Sequence, residues 1–395
     1  MTEEDDPEAR FRRFPLALRR WTLRALNRRL RMPFRRRRWD RENRDATAPY
    51  RIEDRTGRMP DETGRVCILG DFSGRTGLSR AGLYERELLE RDHPGAEIHD
   101  LGPALHEGAA ITPHDGPPID RLYLLAAPDT YPALFRALPP ARIRKAWRTG
   151  LWLWETPLFP AHWNFALDLV DEIWSPSEYG REAFLPVAEG IPIRLRPCPV
   201  PAPPAVPRAE ADAMRDRLEI ARDAFLGVAI MDISSCPARK NPWAHVAAWL
   251  RAFGDDPARV LVLKIRVSKI TRIVLDELRE MIGDAPNVRL LEAELTEDEI
   301  AALQAAADVY LSLHRAEGYG LNIHECLALG TPVIATDFSA NAEYGPAFSA
   351  YRGIPYHLVP YRDWTGHYPD PDFSWAEADQ GAAARELRAV AGTGQ

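Results

Sequence analysis

Short apolar runs alternate with amphipathic stretches along most of the chain. In the first half, the run RVCILG from Arg65 precedes the helical pattern LSRAGLYERELLE, and a second helix is indicated from Glu178 to about Leu185. Further apolar runs are AEIHDL, RLYLLAAP, GLWLWE and DEIWSPS. Regular alternation of short strands with helices predicts a parallel α/β sheet.

A proline-rich stretch interrupts this alternation near the middle of the chain. Residues 197–207 read PCPVPAPPAVP, with six prolines in eleven positions. Because proline can neither pair within a central strand nor continue a helix, the stretch predicts an extended linker. The alternation then resumes with FLGVAIMD, PWAHVAAWLRAF and RVLVLKIR and continues through DVYLSL, NIHECLALG and PVIATD.

This pattern predicts two doubly wound α/β domains with Rossmann-like parallel sheets that face a cleft. Ligands of open α/β sheets bind at the carboxyl ends of the strands, so the cleft is the expected site. The length of 395 residues agrees, because it is about twice that of a typical domain. The expected segments are a basic arm (1–61), a first domain (62–200), a linker (201–212), a second domain (213–345) and a C-terminal segment (346–395).

Composition excludes several classes of protein. The four cysteines are scattered without metal-ligand spacing, which argues against a zinc site or a disulfide framework and suits a reducing compartment. No run of about 18 apolar residues is present, and the N-terminal region lacks the apolar core of a secretory signal. We therefore expect a cytoplasmic protein.

The net charge of −7 is unevenly distributed. Residues 1–50 hold 15 arginines and 8 acids, a balance of +7, so the remainder carries −14. An acidic body with a basic arm is not typical of a nucleic-acid-binding protein. Over residues 10–38, arginines mix with leucine and aromatic residues, and two interpretations stay open. The arm is either a disordered basic tail or a helix lying on an anionic membrane surface, at the inner face of the plasma membrane.

The segment from His314 to Asp337, HRAEGYGLNIHECLALGTPVIATD, carries the most specific pattern. A strand leads into a glycine-bearing turn with Glu317, and a helix starts near Leu321, with Glu325 one to two turns into it. Free N–H groups at a helix start favour an anion, and the glycines permit close approach of the backbone to a ligand. Two carboxylates beside an anion site are favourable only if they bind neutral hydroxyls, which sugars and ribose supply.

A second segment, MDISSCPARKNPWAHVAAWL, places Arg239 and Lys240 between a strand and a helix. Asn241 and Pro242 fit the N-cap and the first position of that helix. Cations beside a helix N-terminus form a pocket for a diphosphate. A solvated basic loop is the alternative interpretation.

Two weaker signals lie in the first half of the chain. The loop GDFSGRTGLSRAG contains Gly77, but its glycine spacing is not that of a dinucleotide-binding loop, and a tight strand-to-helix turn explains it equally well. Glu155 ends the strand candidate GLWLWE. A carboxylate at the carboxyl end of a strand faces the cleft, which makes Glu155 a candidate ligand contact.

These motifs resemble those of the family-4 retaining glycosyltransferases, which have the two-domain GT-B fold. Their hallmark is E-x7-E in an E-G-[FY]-G-L context followed by A-x-G-x-P-V-I-A, matched here by EGYGLNIHE and ALGTPVIAT. The resemblance spans roughly residues 65–390, with the specific motifs in the second half. It implies transfer of a sugar from a nucleotide-sugar donor to a hydroxyl of a glycan or lipid-linked acceptor, with retention of the anomeric configuration.

The resemblance also implies roles for the matching residues. Glu317 would bind hydroxyls of the donor sugar and Glu325 those of the ribose. Lys240 would stabilise the leaving diphosphate, with Arg239 as a candidate second cation, and Gly77 would lie on the acceptor side. Glu155 is placed on the acceptor side by its position at a strand end. The donor-binding turn and helix start comprise Gly318, Tyr319, Gly320, Leu321 and Asn322.

The chain departs from the family pattern at Ser234, where many members carry an arginine. Arg239, Lys264 or Arg266 are candidates for the missing cation, and Ser234 and Lys264 are counted among the donor-binding residues. No metal or other cofactor is expected, because protein cations would stabilise the leaving group. Two alternatives stay open: a nucleotide-sugar epimerase, and a non-catalytic GT-B protein that binds nucleotide-sugars.

Overall fold

The described part of the chain contains two parallel β-sheets of six strands each. The computed structural model describes residues 32–61, 63–73, 76–202, 206–234, 236–363, 365, 367–368 and 372–393. The strands of the first sheet are β1 (Val66–Gly70), β2 (Glu97–Asp100), β3 (Arg121–Leu125), β4 (Trp147–Leu151), β5 (Glu172–Ser175) and β6 (Ile193–Leu195). Those of the second are β7 (Phe225–Asp232), β8 (Arg259–Arg266), β9 (Val288–Leu291), β10 (Val309–Ser312), β11 (Val333–Thr336) and β12 (Tyr351–Ile354).

Helices cover the sheets and bury the strands. Strands β1, β5, β10 and β11 are buried at every position. Because both faces of these strands are covered, their sequences do not alternate strictly between polar and apolar residues. The α-helices of the described chain are Met32–Thr47, Gly77–Asp92, Gly102–His106, Tyr131–Leu134, Pro140–Ile143, Glu178–Phe184, Arg208–Arg217, Pro237–Lys240, Pro242–Phe253, Ile273–Ile282, Glu297–Ala306, Leu321–Ala328, Ala340–Tyr344 and Gln380–Val390.

The strand order places a crevice at one end of each sheet. The second sheet has the order β9-β8-β7-β10-β11-β12, so the chain moves outward from β7 and then starts again beside it at β10. The first sheet has the order β2-β1-β3-β4-β5-β6, with the same reversal between β1 and β3. Loops at the carboxyl ends of the strands diverge at such reversals, and ligands of α/β proteins bind there.

One predicted strand is wrong in position. The run GLWLWE predicts a strand that ends at Glu155, but β4 ends at Leu151, and Glu155 lies in the loop beyond it. Trp152 and Trp154 are 1% and 4% exposed, so the apolar pattern here reflects a buried loop. A short apolar run does not by itself distinguish the two.

The described part of the arm packs against the first domain. Trp39, in the helix Met32–Thr47, lies edge-on against Phe165 with ring centroids 6.1 Å apart. Arg58 forms an ion pair with Asp171, whose side chain is 1% exposed. The boundary expected at residue 61 therefore does not coincide with the structural edge of the first domain.

The remainder of the arm lies outside the described residues. Residues 1–31 hold most of the basic stretch 10–38, so the structure does not decide between the two interpretations of that stretch. Among the described residues, every helix is too short or too polar to cross a membrane.

The linker is shorter than the sequence predicts. A helix begins at Arg208, within the expected linker 201–212, and packs on the helix Glu297–Ala306 of the second domain. Pro207 is its N-cap residue. Residues 203–205 lie outside the described residues. The second domain therefore begins at the end of the proline-rich stretch, because the next residues bury a helix face.

The C-terminal segment contacts both domains. It contains an antiparallel pair, β13 (Tyr356–Pro360) and β14 (Ser374–Ala378). Between these strands, Tyr368 lies edge-on against Trp154 of the first domain, with ring centroids 5.7 Å apart. The last helix, Gln380–Val390, packs on Pro242–Phe253 of the second domain. From its position after the second domain, we expect this segment to return toward the first domain; aromatic side chains make that contact, whereas the terminal helix packs on the second domain.

Hydrogen bonds also join the two domains. The carboxylate of Glu343 accepts the backbone N–H groups of Glu178 and Tyr179, both at 2.8 Å. A carboxylate at a helix start satisfies free N–H donors and interacts favourably with the helix dipole. The hydroxyl of Tyr319 donates to the carbonyl of Cys198 at 3.3 Å. These contacts hold the second domain against the first.

We predict that Arg58→Ala lowers the free energy of unfolding by about 3 kcal/mol, because it leaves the buried Asp171 carboxylate without its ionic partner. The matched control is Arg51→Ala, whose ion pair with Asp168 is exposed at 58% and 41%, and its cost should stay below about 1 kcal/mol. Urea unfolding of both variants measures the difference. Equal costs would show that Arg58 does not anchor the arm.

Candidate functional site

A cavity of about 480 Å³ lies between the carboxyl ends of the two sheets. Both strand-order reversals reach it, since residues that follow β1 and β3 of the first sheet and the ends of β7 and β10 of the second line its wall. The predicted site residues that line the cavity are Gly77, Glu155, Ser234, Arg239, Lys240, Lys264, Glu317, Gly318, Tyr319, Gly320, Leu321 and Asn322. Glu325 is the predicted residue that does not line it.

The turn after β10 shapes the floor of this cavity. Gly320 has a φ of +85°, a left-handed conformation that favours glycine, and the helix Leu321–Ala328 begins directly after it. Gly318 has a different role, because a Cβ there would lie 3.1 Å from the carbonyl oxygen of Trp154. Because Gly318 has no side chain, its backbone can lie close to the backbone of Trp154 in the first domain. No side chain caps the helix start, so its first N–H groups remain available to an anion.

Glu317 sits at the centre of a buried cluster of charges. Its Oε1 accepts from Nζ of Lys240 at 2.5 Å, and its Oε2 contacts Arg239 at 3.2 Å. The other terminal nitrogen of Arg239 lies 3.2 Å from Oε1 of Glu155 in the first domain. The hydroxyl of Ser339 accepts the backbone N–H of Glu317 at 2.8 Å. Arg239 thus connects carboxylates from the two domains, and the cluster carries no net charge.

The cluster controls the ionisation of its members. Burial by itself would raise the pKa of Glu317, but the adjacent Lys240 and Arg239 outweigh it and lower that pKa to about 2. Burial also lowers the pKa of Lys240, although Glu317 opposes the shift. Glu317 is therefore a permanently charged carboxylate at neutral pH, a good hydrogen-bond acceptor and a poor base.

The loop that carries the two cations differs in detail from the sequence prediction. Arg239 and Lys240 end the short helix Pro237–Lys240. Asn241 is the N-cap residue of the next helix, as expected, with a left-handed φ of 51°. Its side chain makes no cap, because Nδ2 donates to Glu377 at 3.0 Å. The side chain of Asn241 thus contacts the C-terminal segment and does not cap the helix.

Glu325 is covered by side chains of the first domain. Arg80 pairs with its Oε1, and the hydroxyl of Tyr84 donates to the same oxygen at 3.1 Å. Gln304 donates to Oε2 at 3.0 Å. Arg80 also reaches Asn322 at 3.3 Å. Both oxygens of Glu325 are therefore engaged within the protein, and a ligand hydroxyl must exchange with these partners.

Further cations line the second-domain side of the cavity. Lys264 and Arg266 come from the end of β8, and Arg266 lies 3.7 Å from Asp232. Burial lowers the pKa of Lys264 more than Asp232 raises it. Ser234 contributes no charge, and its backbone N–H donates to Asp232 at 2.8 Å. Arg239 is paired with two carboxylates and Arg266 with one, and both line the cavity together with Lys264.

The first-domain side contains two residues that the motifs did not identify. Asp129 follows β3, and Trp163 lies in the nine-residue 3-10 helix Ala161–Leu169; both line the cavity. Burial, and then the nearby Glu155, raise the pKa of Asp129 to about 6. Asp129 follows the predicted strand RLYLLAAP. Because ligands of α/β sheets bind at the carboxyl ends of strands, this position could have identified Asp129 from the sequence. For Trp163 the sequence holds no comparable signal.

Two buried histidines support the loops of the second domain. Nε2 of His245 accepts the backbone N–H of Leu313 at 3.0 Å, so its Nδ1 donates to the carbonyl of Asn241 at 3.0 Å. This pattern requires the neutral ring. Burial accordingly lowers the pKa of His245 to about 4, and that of His314 likewise to about 4.

Comparison with known proteins supports a family for part of the chain. Residues 261–354, less than half of the chain, match the family model described as Glycosyl transferases group 1. No curated protein matches the sequence. Among solved structures, a glycosyltransferase from Rickettsia africae ESF-5 gives a TM-score of 0.57 at 11% identity, covering 83% of this chain and 88% of that chain.

Two other solved structures are similar. Alr3699/HepE of Anabaena, in complex with UDP and glucose, gives a TM-score of 0.50 at 16% identity and covers 71% of this chain and 82% of its own. The N-terminal domain of trehalose-6-phosphate phosphatase from Candida albicans gives 0.52 at 12% identity, with 87% and 92% covered. Such likeness establishes the fold, and the GT-B arrangement expected from the sequence is confirmed. The family match supports a glycosyltransferase domain in the second half.

We predict that stability falls as the pH is lowered from 7 to 5, in part through His245. Its folded pKa of about 4 lies below the ordinary 6.5, so the unfolded chain binds more protons in this window and acidification favours unfolding. His245→Gln keeps an acceptor for Leu313 and should reduce the slope by up to about 1.4 kcal/mol per pH unit.

The control for this experiment is His357→Gln, because His357 is exposed on β13. Chemical unfolding of the three proteins is compared between pH 7 and 5, a range that stays above the ordinary glutamate pKa of 4.5 and so limits the contribution of Glu317, which is the same in all three proteins. Identical slopes for wild type and His245→Gln would contradict a depressed pKa of His245.

Proposed function

We propose that this protein is a retaining glycosyltransferase that moves a sugar from a nucleotide-sugar donor to a hydroxyl of a glycan or lipid-linked acceptor. The observation that carries the proposal is the position of Glu317, held by Lys240 and Arg239 beside the open start of the helix Leu321–Ala328. Hydroxyl-binding and anion-binding groups lie side by side there, as a nucleotide-sugar requires.

Glu317 would bind hydroxyls of the donor sugar. Its lowered pKa keeps it ionised, so it accepts hydrogen bonds from O–H groups but takes up protons poorly. The same property makes it a weak nucleophile, because two cations already hold its oxygens. We therefore assign Glu317 to positioning of the sugar and not to a covalent intermediate.

The leaving diphosphate would bind at the helix start. Negative charge develops on this group as the bond to the anomeric carbon breaks, and preorganised N–H donors and cations stabilise it most. The candidates are the backbone N–H groups of Leu321 and Asn322 together with Lys240 and Lys264. With no nucleophile assigned, we infer that the acceptor hydroxyl attacks on the face from which the phosphate departs and gives its proton to that phosphate, so the configuration is retained.

The nucleoside would lie against the second domain near Glu325. Its ribose hydroxyls would replace Arg80 and Tyr84 as donors to this carboxylate, since both occupy it in the ligand-free protein. Arg80 would keep its ion pair with Glu297, at 3.2 Å, which offsets part of the cost of leaving Glu325. The UDP found in the complex of the similar Anabaena protein makes UDP-sugars the first donors to test.

We expect nucleoside diphosphate release from one donor in a panel of UDP-, GDP- and dTDP-sugars. Glu317→Ala should lower the rate by about 10²-fold or more, because it removes hydroxyl contacts and leaves Lys240 and Arg239 without their shared partner. Glu280→Ala, which changes an exposed carboxylate outside the cavity, is the control and should keep the wild-type rate.

Two other outcomes would overturn the transferase proposal in specific ways. Donor binding without release from any donor, with or without added glycans, would favour a non-catalytic binding protein. Conversion of the donor sugar to its epimer without an acceptor would favour the epimerase alternative.

We also propose that the basic stretch 10–38 attaches the protein to anionic membrane surfaces. Where the structure describes this part of the chain, Trp39 packs inward and Arg38, Arg41 and Arg44 are exposed. Acids on the same helix offset some of this charge, since Arg38 pairs with Glu42. The attraction would therefore depend on the arginines before residue 32.

Co-sedimentation with phosphatidylglycerol vesicles tests the attachment. The full chain should bind at low salt, and a chain that starts at residue 32 should not, because it keeps the packed helix and loses most arginines. Neutral phosphatidylcholine vesicles are the control. Equal binding of both chains would show that residues 1–31 do not attach the protein to the membrane.

A further inference from the structure

The first-domain half of the cavity differs chemically from the second-domain half. Its charged lining residues are Asp129, Glu155 and Arg80, and its aromatic wall contains Trp154 and Trp163. We propose that this half is a subsite for an uncharged sugar and that it excludes phosphorylated or carboxylated sugars. The proposal rests on the proposed function, because it names the chemical class of the acceptor for the same site.

The carboxylates of this half are suited to hydroxyl donors. Among the described residues, no hydrogen-bond donor reaches Oδ1 of Asp129, although this oxygen is shielded from solvent. An unpaired carboxylate oxygen in this position is already unfavourable, and an anion placed near it would add like-charge repulsion. Glu155 has one oxygen on Arg239, and its side chain is 22% exposed, so it can accept a further hydrogen bond.

The cations near this half are already paired. Arg80 contacts Glu325 and also Glu297, at 3.2 Å, in the second domain. Arg239 contacts both Glu155 and Glu317. A phosphate or carboxylate bound beside Asp129 and Glu155 would face two carboxylates, while Arg80 and Arg239 are already engaged in ion pairs. Juxtaposed like charges in a partly desolvated site weaken binding strongly.

The aromatic wall fits the apolar face of a sugar ring. Trp163 is half-buried and is held edge-on against Trp154, with ring centroids 4.9 Å apart. It also lies edge-on against Phe159, at 6.0 Å. The face of an indole ring is electron-rich and attracts the C–H bonds that a pyranose presents on one side. Rigid packing behind Trp163 reduces the entropy that binding would otherwise cost.

Binding of sugars to the full chain, followed by saturation-transfer NMR, tests the proposal. The panel consists of glucose, galactose, mannose and N-acetylglucosamine, their 6-phosphates, and glucuronate, each with UDP, GDP or dTDP present. We expect at least one neutral sugar to bind, and its 6-phosphate to bind at least about tenfold more weakly. Equal or tighter binding of the phosphorylated sugar, or no binding of any neutral sugar, would overturn the proposal.

Variants separate the two features of the subsite. Trp163→Ala should weaken the neutral sugar by about tenfold or more, whereas Tyr356→Ala, which removes an exposed aromatic ring outside the cavity, should not. Asp129→Asn should reduce the discrimination against the 6-phosphate. Glu155→Gln provides a second charge variant if Asp129→Asn fails to fold. Unchanged discrimination in a folded charge variant would contradict the role of the carboxylates.

The nucleotide signals in the same samples distinguish this proposal from the proposed function. Nucleoside diphosphate binding without sugar binding would reject the acceptor subsite and leave the donor site standing. Sugar binding without any nucleotide binding would reject the proposed function and preserve the sugar subsite.

Discussion

The two domains meet at one buried cluster of charges, and the geometry of the cleft depends on it. Arg239 contacts Glu155 of the first domain and Glu317 of the second, while Lys240 contacts the other oxygen of Glu317. Two cations balance two carboxylates, so the buried cluster is electrically neutral. Loss of one member would leave a buried charge unpaired, which costs far more than loss of a surface pair. The close approach of Gly318 to the backbone of Trp154 lies next to this contact, since Trp154 precedes Glu155 and Gly318 follows Glu317.

The cluster also divides the cavity into two chemical environments. On the second-domain side, Lys264, Arg266 and an uncapped helix start favour an anion. On the first-domain side, Asp129 and the ring of Trp163 favour a neutral, hydroxyl-bearing ligand. The proposed diphosphate site and the proposed acceptor subsite therefore lie on opposite sides of the cluster. A cleft with this asymmetry can orient two different substrates before any closure of the domains.

The local elements and the main motif could be predicted from the sequence. The strands β1, β7, β8, β10 and β11 form short buried runs between amphipathic helices, and each was predicted close to its observed bounds. The turn with Glu317 and the helix from Leu321 were likewise predicted. Short elements such as β6 and the pair β13–β14 were not, because they have little periodicity and depend on neighbouring strands.

The sequence by itself determined two Rossmann-like domains, a proline-rich break between them and several of the residues that line the second-domain side of the cleft. These features depend on helix and strand patterns and on motif spacing, which act over a few residues. Only the tertiary structure decided that Arg80 covers Glu325, 245 positions away, that Arg239 pairs with Glu155, and that Asp129 joins the site. Such partners are selected by how the two sheets face each other, and no local pattern records that arrangement.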